Sequence, residues 1–228
     1  MNRNDMMRVV GGLTQTTKMP CHSFSIPTSA CKKGSKLRKV EGSVCHHCYA
    51  HDRGNYSWPN VKNAQARRLR ILNEVITSGE GSGEWQLWVD TMVQLMSRET
   101  YFRWHDSGDL QSMEHLKLIV AVCKRTPHVM HRMPTKEFKT IRRYVQTVCK
   151  LPDNLIVQLS SPMLNDRIKV SHERWADGMQ VATTYTNAAA AYADGVKFVC
   201  PATVDRKTCG DCRACWDPTI TNIAYMLH

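Results

Sequence analysis

From Asn60 onward the apolar positions Val61, Ala64, Leu72, Val75 and Ile76 fall on one helical face. This spacing predicts a helix that stops at the glycine-rich stretch 79–83, followed by a second helix from Glu84 to Arg98 that pairs with it. Residues 1–59 show little periodicity and are rich in Gly, Ser, Pro, Cys and His. They are expected to form a loop-dominated segment that needs something other than a core to order it, and a bound metal supplies such order.

Beyond Tyr101 short β-type runs alternate with helical patterns. Strands are expected at 101–107, 129–135, 155–161, 180–186 and 197–202, with helices at 112–125, 137–150, 167–176 and 188–194 between them. Five strands joined by single helices imply right-handed crossovers and a parallel sheet, hence an α/β fold. A polar face recurs along the strands: Arg103, His105 and Ser107 oppose Phe102 and Trp104, Gln158 and Ser160 oppose Val157 and Leu159, and Thr184 and Thr186 oppose Val181 and Tyr185. A sheet covered by helices on both faces would read as continuous apolar runs, so the expected architecture is a partial (βα) barrel of parallel strands with a ligand-holding lumen. The whole chain reads as one domain: a cysteine-rich loop segment (1–59), a helical pair (60–99), a barrel-like core (100–200) and a cysteine-rich C-terminal segment (201–228).

In such folds ligands sit at the carboxyl ends of the strands. That places His105, Asp106, Ser107, Asp109, Thr135, Lys136, Ser160, Ser161 and Asn187 around one mouth. His105, Asp106, Ser107 and Asp109 are the candidate catalytic or substrate-clamping residues. A Ser-His-Asp triad is not among the readings, because Asp106 points away from His105 and Ser107, and alternate strand residues stand roughly 6.5 Å apart. Asp109 is equally well explained as the cap of the following helix, with Ser112 competing for that role. Arg132 and Lys136 could hold an anionic group of a cofactor or lie in solvent.

The chain has 228 residues and a net charge of +11. Its basic residues concentrate only at Lys32, Lys33, Lys36, Arg38, Lys39 and at Arg67, Arg68, Arg70. Nucleic acid or a host protein is a candidate partner, and a soluble basic face that steers an anion explains the charge equally well. No stretch approaches the roughly 18 apolar residues of a membrane helix, and the start has charges where a signal peptide is apolar, so no membrane association and a cytoplasmic location are expected.

In a reducing compartment clustered thiols are metal ligands or redox groups rather than disulfides. Of the ten cysteines, Cys200, Cys209, Cys212 and Cys215 form the primary candidate metal site, three of them at successive three-residue steps and the first followed by Pro201. This spacing and the softness of the donors favour a [4Fe-4S] cluster, with zinc as the alternative. Lys207, Arg206 and Arg213 would offset an anionic cluster. Cys21, Cys31, Cys45 and Cys48 form a second set, in which His22, His46 and His47 add nitrogen donors that suit zinc. Both sets could meet above the barrel mouth and share one centre. Cys123 and Cys149 fall on the apolar faces of two helices and read as small core residues.

Taken together, the segments KMPCHSFSIP, CHHCYA, RWHDSGDLQS, MPTKEF and CPATVDRKTCGDCRACW resemble the bacteriophage gene product 88 family, in order, from about Lys18 to Trp216. The resemblance implies a phage origin, a cysteine-rich chain and residence in the cytoplasm of the infected bacterium, without naming a reaction. A looser resemblance is to radical S-adenosylmethionine (SAM) enzymes, which join a partial (βα) barrel to a cysteine loop ending C-x-x-C-aromatic. Cys45, Cys48 and Tyr49 match that ending, which would make Tyr49 a cofactor-binding residue and SAM a cofactor, and Ser107-Gly108-Asp109 matches the glycine-rich acidic motif. Position 41, where such enzymes carry a further cysteine, is Glu, so Cys31 or Cys21 would have to serve.

Three functions compete. An iron-sulfur enzyme would have a deep polar pocket at its cluster. A zinc-stapled module would bind nucleic acid or a host protein through its basic surface. A redox or iron sensor would carry a cluster near solvent.

Overall fold

The computed structural model describes residues 1–51, 53–170, 173–205 and 207–227. The chain begins with α1 (Arg3–Val10), β1 (Thr14–Gln15), β2 (His22–Phe24) and α2 (Lys32–Leu37), followed by the helical pair α3 (Pro59–Ser78) and α4 (Gly83–Leu95). Then come β3 (Tyr101–Trp104), α5 (Met113–Arg125), β4 (Met130–Thr135), α6 (Phe138–Thr147) and β5 (Leu155–Ser160). The remainder is β6 (Gln180–Tyr185), α7 (Ala188–Ala193), α8 (Pro201–Val204) and β7 (Asn222–Met226).

The strands form one sheet in the order β1 to β7, parallel throughout except for the β1–β2 pair. Because every parallel neighbour is also the next strand in sequence, there is no reversal of strand order and the crossovers all run the same way. That is the topology of a partial (βα) barrel rather than a doubly wound sheet.

The helix-facing side of the sheet is apolar. Phe102, Trp104, Met133, Leu155, Val157 and Leu159 join Leu116, Ile119, Val120 and Cys123 of α5, and Leu72, Val75, Trp88 and Met92 of the helical pair, in one buried core. Phe24 makes an edge contact with Trp88 at 5.7 Å, and Phe102 one with Trp104 at 5.0 Å; pairs of this geometry add about 1 kcal/mol each beyond area burial. His131 stacks on Trp104 and is hydrogen-bonded to Thr126 within this layer. Cys123 is fully buried as expected, whereas Cys149 sits at the rim with its thiol 3.2 Å from the Tyr144 hydroxyl.

Several expectations are corrected. The amino-terminal segment is largely irregular, as expected, but it also carries regular elements that were not foreseen: α1 is capped by the Asn2 side chain and buries Val10, and β2 is the first parallel strand. Three strand residues are too few to show periodicity. The segment expected as a helix at 167–176 has only a 3₁₀ turn at Arg174–Ala176 among its described residues, Ser171 and His172 lying outside them. The strand expected at 197–202 is reduced to a single bridge between Val199 and Ala224, and Pro201 instead opens α8. The place beside β6 belongs to β7, whose register puts Tyr225 next to Thr184. The face of α3 also departs from a simple apolar stripe, because Gln65 and Arg68 are buried with Leu72 and Val75. Arg68 donates to the Ser25 carbonyl at 2.7 Å and to its hydroxyl at 2.5 Å, while burial lowers the guanidinium pKa to about 10.

Two carboxyl-end loops meet at Gly108. Ile26 N donates to Ser107 O, and the Ser107 hydroxyl donates to Ile26 O. Gly108 has φ +83°, and a Cβ there would stand 2.3 Å from Ile26 Cγ1 and 2.8 Å from Ile26 O. Gly108→Ala is therefore expected to cost about 3 kcal/mol or more in urea unfolding. Gly195→Ala, at a similar φ of +74° with open space around it, should cost only about 1 kcal/mol. Equal losses would show that the Ile26 contact contributes nothing.

Candidate metal centres and the polar mouth

At the carboxyl ends of β3 and β4, Asp109 joins two loops. Its carboxylate accepts from Thr135 Oγ1 at 2.6 Å, the Lys136 amide at 2.9 Å and the Leu110 amide at 2.7 Å. Ser112, not Asp109, caps α5 by accepting from the His115 amide. Burial pushes the Asp109 carboxyl up to about 6, with these hydrogen bonds offsetting only part of the shift.

Asp106 is the hub of a second network. Its carboxylate accepts from the Ser23 hydroxyl at 2.5 Å and from the Tyr56 hydroxyl at 3.0 Å, and its carbonyl accepts from the Tyr49 hydroxyl at 2.8 Å. Arg103 donates to the Tyr49 oxygen at 3.3 Å. Tyr49 and Tyr56, from the loop after the first cysteines, are thereby drawn to the end of β3.

His105 leaves the lumen face on which strand alternation puts it. β3 ends at Trp104, the backbone at His105 is left-handed (φ 59°), and the ring packs against His115 of α5 at 5.2 Å. Burial, with the Arg103 charge adding to it, holds this imidazole down to about 3, so it is neutral at ordinary pH. Ser107 Oγ is engaged by Ile26 O, which leaves it a positioning role. Arg132 lies within the sheet rather than at its rim: its guanidinium donates to Gln158 Oε1 at 2.7 Å and Tyr225 Oη at 2.8 Å, with the Trp216 and Tyr225 rings beneath it.

The cysteines divide differently from the two expected sets. Cys31, at the start of α2, stands with Cys45 and Cys48 of the loop after that helix, which pairs with the turn after β5 through Val44 N to Pro162 O and Leu164 N to Gly42 O. A Cβ on Gly34 would lie 3.5 Å from Cys45 Sγ and 3.7 Å from Cys31 Sγ, so a glycine keeps the space between these thiols open. Burial pushes the Cys31 thiol up to about 12, and it raises that of Cys45 as well. Lys136, Arg38 and Asp109 supply the nearby charges. His46 turns instead to the Arg38 carbonyl, and His22 pairs with Glu99.

Cys21 belongs with the other group. It packs with Cys200, Cys215, Cys212 and Trp216 against the polar face of the sheet, where burial raises it to about 12 against the lowering effect of Arg103 and Arg132. This segment is tied down at several points: Cys209 N to Lys18 O, Cys200 N to Ala224 O, Trp216 Nε1 to Phe102 O, and Gln180 Nε2 to the carbonyls of Ala214 and Asp217. The Cys215 thiol is 3.1 Å from the Tyr225 hydroxyl. Burial also raises Cys200 and Cys209, and Arg132 acts on both in the opposite direction. Arg213 stacks over Tyr101 and donates to Gly210 O and Cys212 O, while Arg206 lies outside the described residues.

Cys21 of the second set thus joins the C-terminal cysteines, and of the two candidates for the third cysteine beside Cys45 and Cys48 it is Cys31 that stands there. Among the described residues no three His, Cys, Asp or Glu side chains converge on a point that one metal ion could occupy. Sequence reasoning missed Tyr56, Gln180 and Tyr225, which carry no motif, and read Arg68 as part of a solvated basic run.

These features define a partial (βα) barrel with a partly buried cysteine-rich segment packed against the polar face of its sheet and a cysteine loop near the ends of β3 and β4. The chain belongs to the Gene product 88 family, whose family model matches residues 2–218, in keeping with the phage resemblance of its motifs. No curated protein and no solved structure matches it. No helix among the described residues is long and apolar enough to cross a membrane.

Asp109 sets a pH dependence. Its folded pKa of about 6 lies above the unfolded 3.8, so the native state binds the extra proton and its stability falls as pH rises through that window. The loss is about 2–3 kcal/mol, complete above pH about 6. Urea unfolding of wild type and Asp109→Asn from pH about 4 to about 7 should show this decline in the wild type and a flatter profile in the variant; parallel profiles would contradict the assignment.

Proposed function

We propose that this protein is an iron-sulfur protein that holds a [4Fe-4S] cluster through Cys200, Cys209, Cys212 and Cys215, with a substrate or cofactor pocket at the carboxyl ends of its strands. The observation that carries this reading is the gathering of buried Cys200, Cys215 and Cys21 with half-buried Cys209 and Cys212, next to Arg132 and, at Cys21, Arg103. Thiolates are the ordinary ligands of such clusters, and two fixed cations offset the negative charge that a thiolate-bound cluster brings into a desolvated place. In a cubane each thiolate holds its own iron, so grouped thiols need not converge on one point. Cys31, Cys45 and Cys48, around the space kept by Gly34, would hold a second centre near Asp109 and Lys136. A bound cluster supplies electron transfer or Lewis acidity. The chain's own groups contribute the fixed charges, the hydrogen bonds that position the loops, and exclusion of water.

Iron and acid-labile sulfide analysis with a visible spectrum, on protein purified without oxygen, tests the reading. The triple variant Cys209→Ala, Cys212→Ala, Cys215→Ala should lose about four irons and about four sulfides per chain relative to wild type, while Cys149→Ala keeps them all. A colourless protein that carries zinc would overturn the proposal and favour the zinc-stapled binding module, as would iron content unchanged in the triple variant.

A further inference from the structure

The two basic concentrations of the sequence meet different ends in the fold. The one on α3 is used internally: Arg68 is buried on Ser25, Arg67 Nε donates to Gly11 O at 3.2 Å, and Arg70 pairs with Glu74 at 2.8 Å. The one on α2 is not. Lys32, Lys33 and Lys36 are exposed, and their ammonium groups have no hydrogen bond or ion pair among the described residues.

The local geometry explains why these lysines face outward together. Gly34 is buried and directed at Cys31 and Cys45, and Lys32 and Lys36 stand two residues to either side of it, about 200° around the helix. The amide of Lys33 donates to Glu137 Oε1 at 2.8 Å, which joins the start of α2 to the start of α6. On α6, Ile141 and Tyr144 turn into the core, so Lys139, Arg142 and Arg143 fall on the opposite side; all three are exposed and likewise without a side-chain partner among the described residues. Three residues apart or four, they share one helix face. Six cations from two joined helices thus form one surface, with Glu137 at the junction accepting the Lys33 amide.

We propose that this surface docks duplex nucleic acid through its phosphate backbone. A duplex presents one negative charge per about 1.7 Å of axis, and cations that have no partner of their own gain most from meeting it. Protein interfaces are poor in lysine and rich in aromatic residues, which argues against an acidic protein as the occupant. The apolar side of α6 is already packed into the core, so nothing remains there to enter a lipid surface. No exposed aromatic ring lies on α2 or α6 for the bases of a single strand to stack on. Lysines act as point charges on phosphates, so the binding is indifferent to base sequence. It is independent of which metal the cysteines hold.

Fluorescence anisotropy of a labelled mixed-sequence duplex, titrated with the full-length protein at several salt concentrations, tests it. Binding in the micromolar range is expected, weakening steeply with salt. Two triple variants, Lys32→Gln with Lys33→Gln and Lys36→Gln, and Lys139→Gln with Arg142→Gln and Arg143→Gln, should each weaken it at least about tenfold and reduce the salt slope by about 2–3. A control triple variant, Arg8→Gln, Arg70→Gln and Lys150→Gln, removes the same charge from exposed residues elsewhere and should bind within about threefold of wild type. Circular dichroism of each variant checks that it is folded, and its iron content, expected to match wild type, separates this surface from the cluster reading. The proposal is overturned by absence of duplex binding at low salt, or by folded α2 and α6 variants that lose no more than the control. It is overturned equally by tighter binding to a single strand, to polyglutamate, or to vesicles of equal parts phosphatidylcholine and phosphatidylserine.

Discussion

A sheet whose strands follow one another in sequence order can be covered by its own crossover helices on only one face. Here that face takes Phe102, Trp104, Val157 and Leu159 into the main core, which leaves the opposite face, with Tyr101, Arg103, Arg132, Gln158, Gln180 and Tyr225, needing a different cover. The C-terminal cysteine segment supplies it. Trp216 reaches the backbone of β3, and Gln180 holds two carbonyls of the incoming chain. The face is polar because it must satisfy the backbone of an irregular segment, which apolar side chains cannot do.

Buried cations recur as the fastening device. Arg68 holds the carbonyl and hydroxyl of Ser25 just after β2, and Arg132 joins Gln158 to Tyr225 across the sheet. Arg103 reaches Tyr49 at the mouth. Each is a long side chain with several donors that can satisfy acceptors from separate segments at once, which suits a domain with so much irregular chain. Asp106 and Asp109 do the complementary work as acceptors, the first gathering Ser23, Tyr49 and Tyr56, the second tying the loop after β3 to the loop after β4.

The two cysteine groups lie in contrasting settings. The group around Cys200 and Cys215 is enclosed between the sheet and its cover, with arginines beside it. The group around Cys31, Cys45 and Cys48 belongs to the segments at the mouth, near Asp109. In the proposed reading the first is placed to hold a protected centre and the second to bring a centre close to a ligand, so that the irregular segments owe their order both to hydrogen bonds and to metal.

What the sequence determined by itself was whatever depends on local periodicity and side-chain chemistry. The helical pair, the strands β3 to β6, the core face of α5 and the parallel α/β class are all legible from apolar spacing, because each long element repeats its pattern several times. The cysteine spacing and the gene product 88 motifs were legible for the same local reason. Tertiary structure alone decided the rest. β2 and β7 are strands because neighbouring strands complete their hydrogen bonds, not because a three- or five-residue pattern demands it. His105 left the lumen through one left-handed residue, which no alternation pattern can show. Arg68 became a core residue because Ser25 offers it two acceptors, and Cys21 parted from Cys31 because the short strand between them carries the chain from one end of the sheet to the other. Long-range pairing of this kind is a property of the assembled fold, where the partner that satisfies a residue is fixed by position in space and not by distance along the chain.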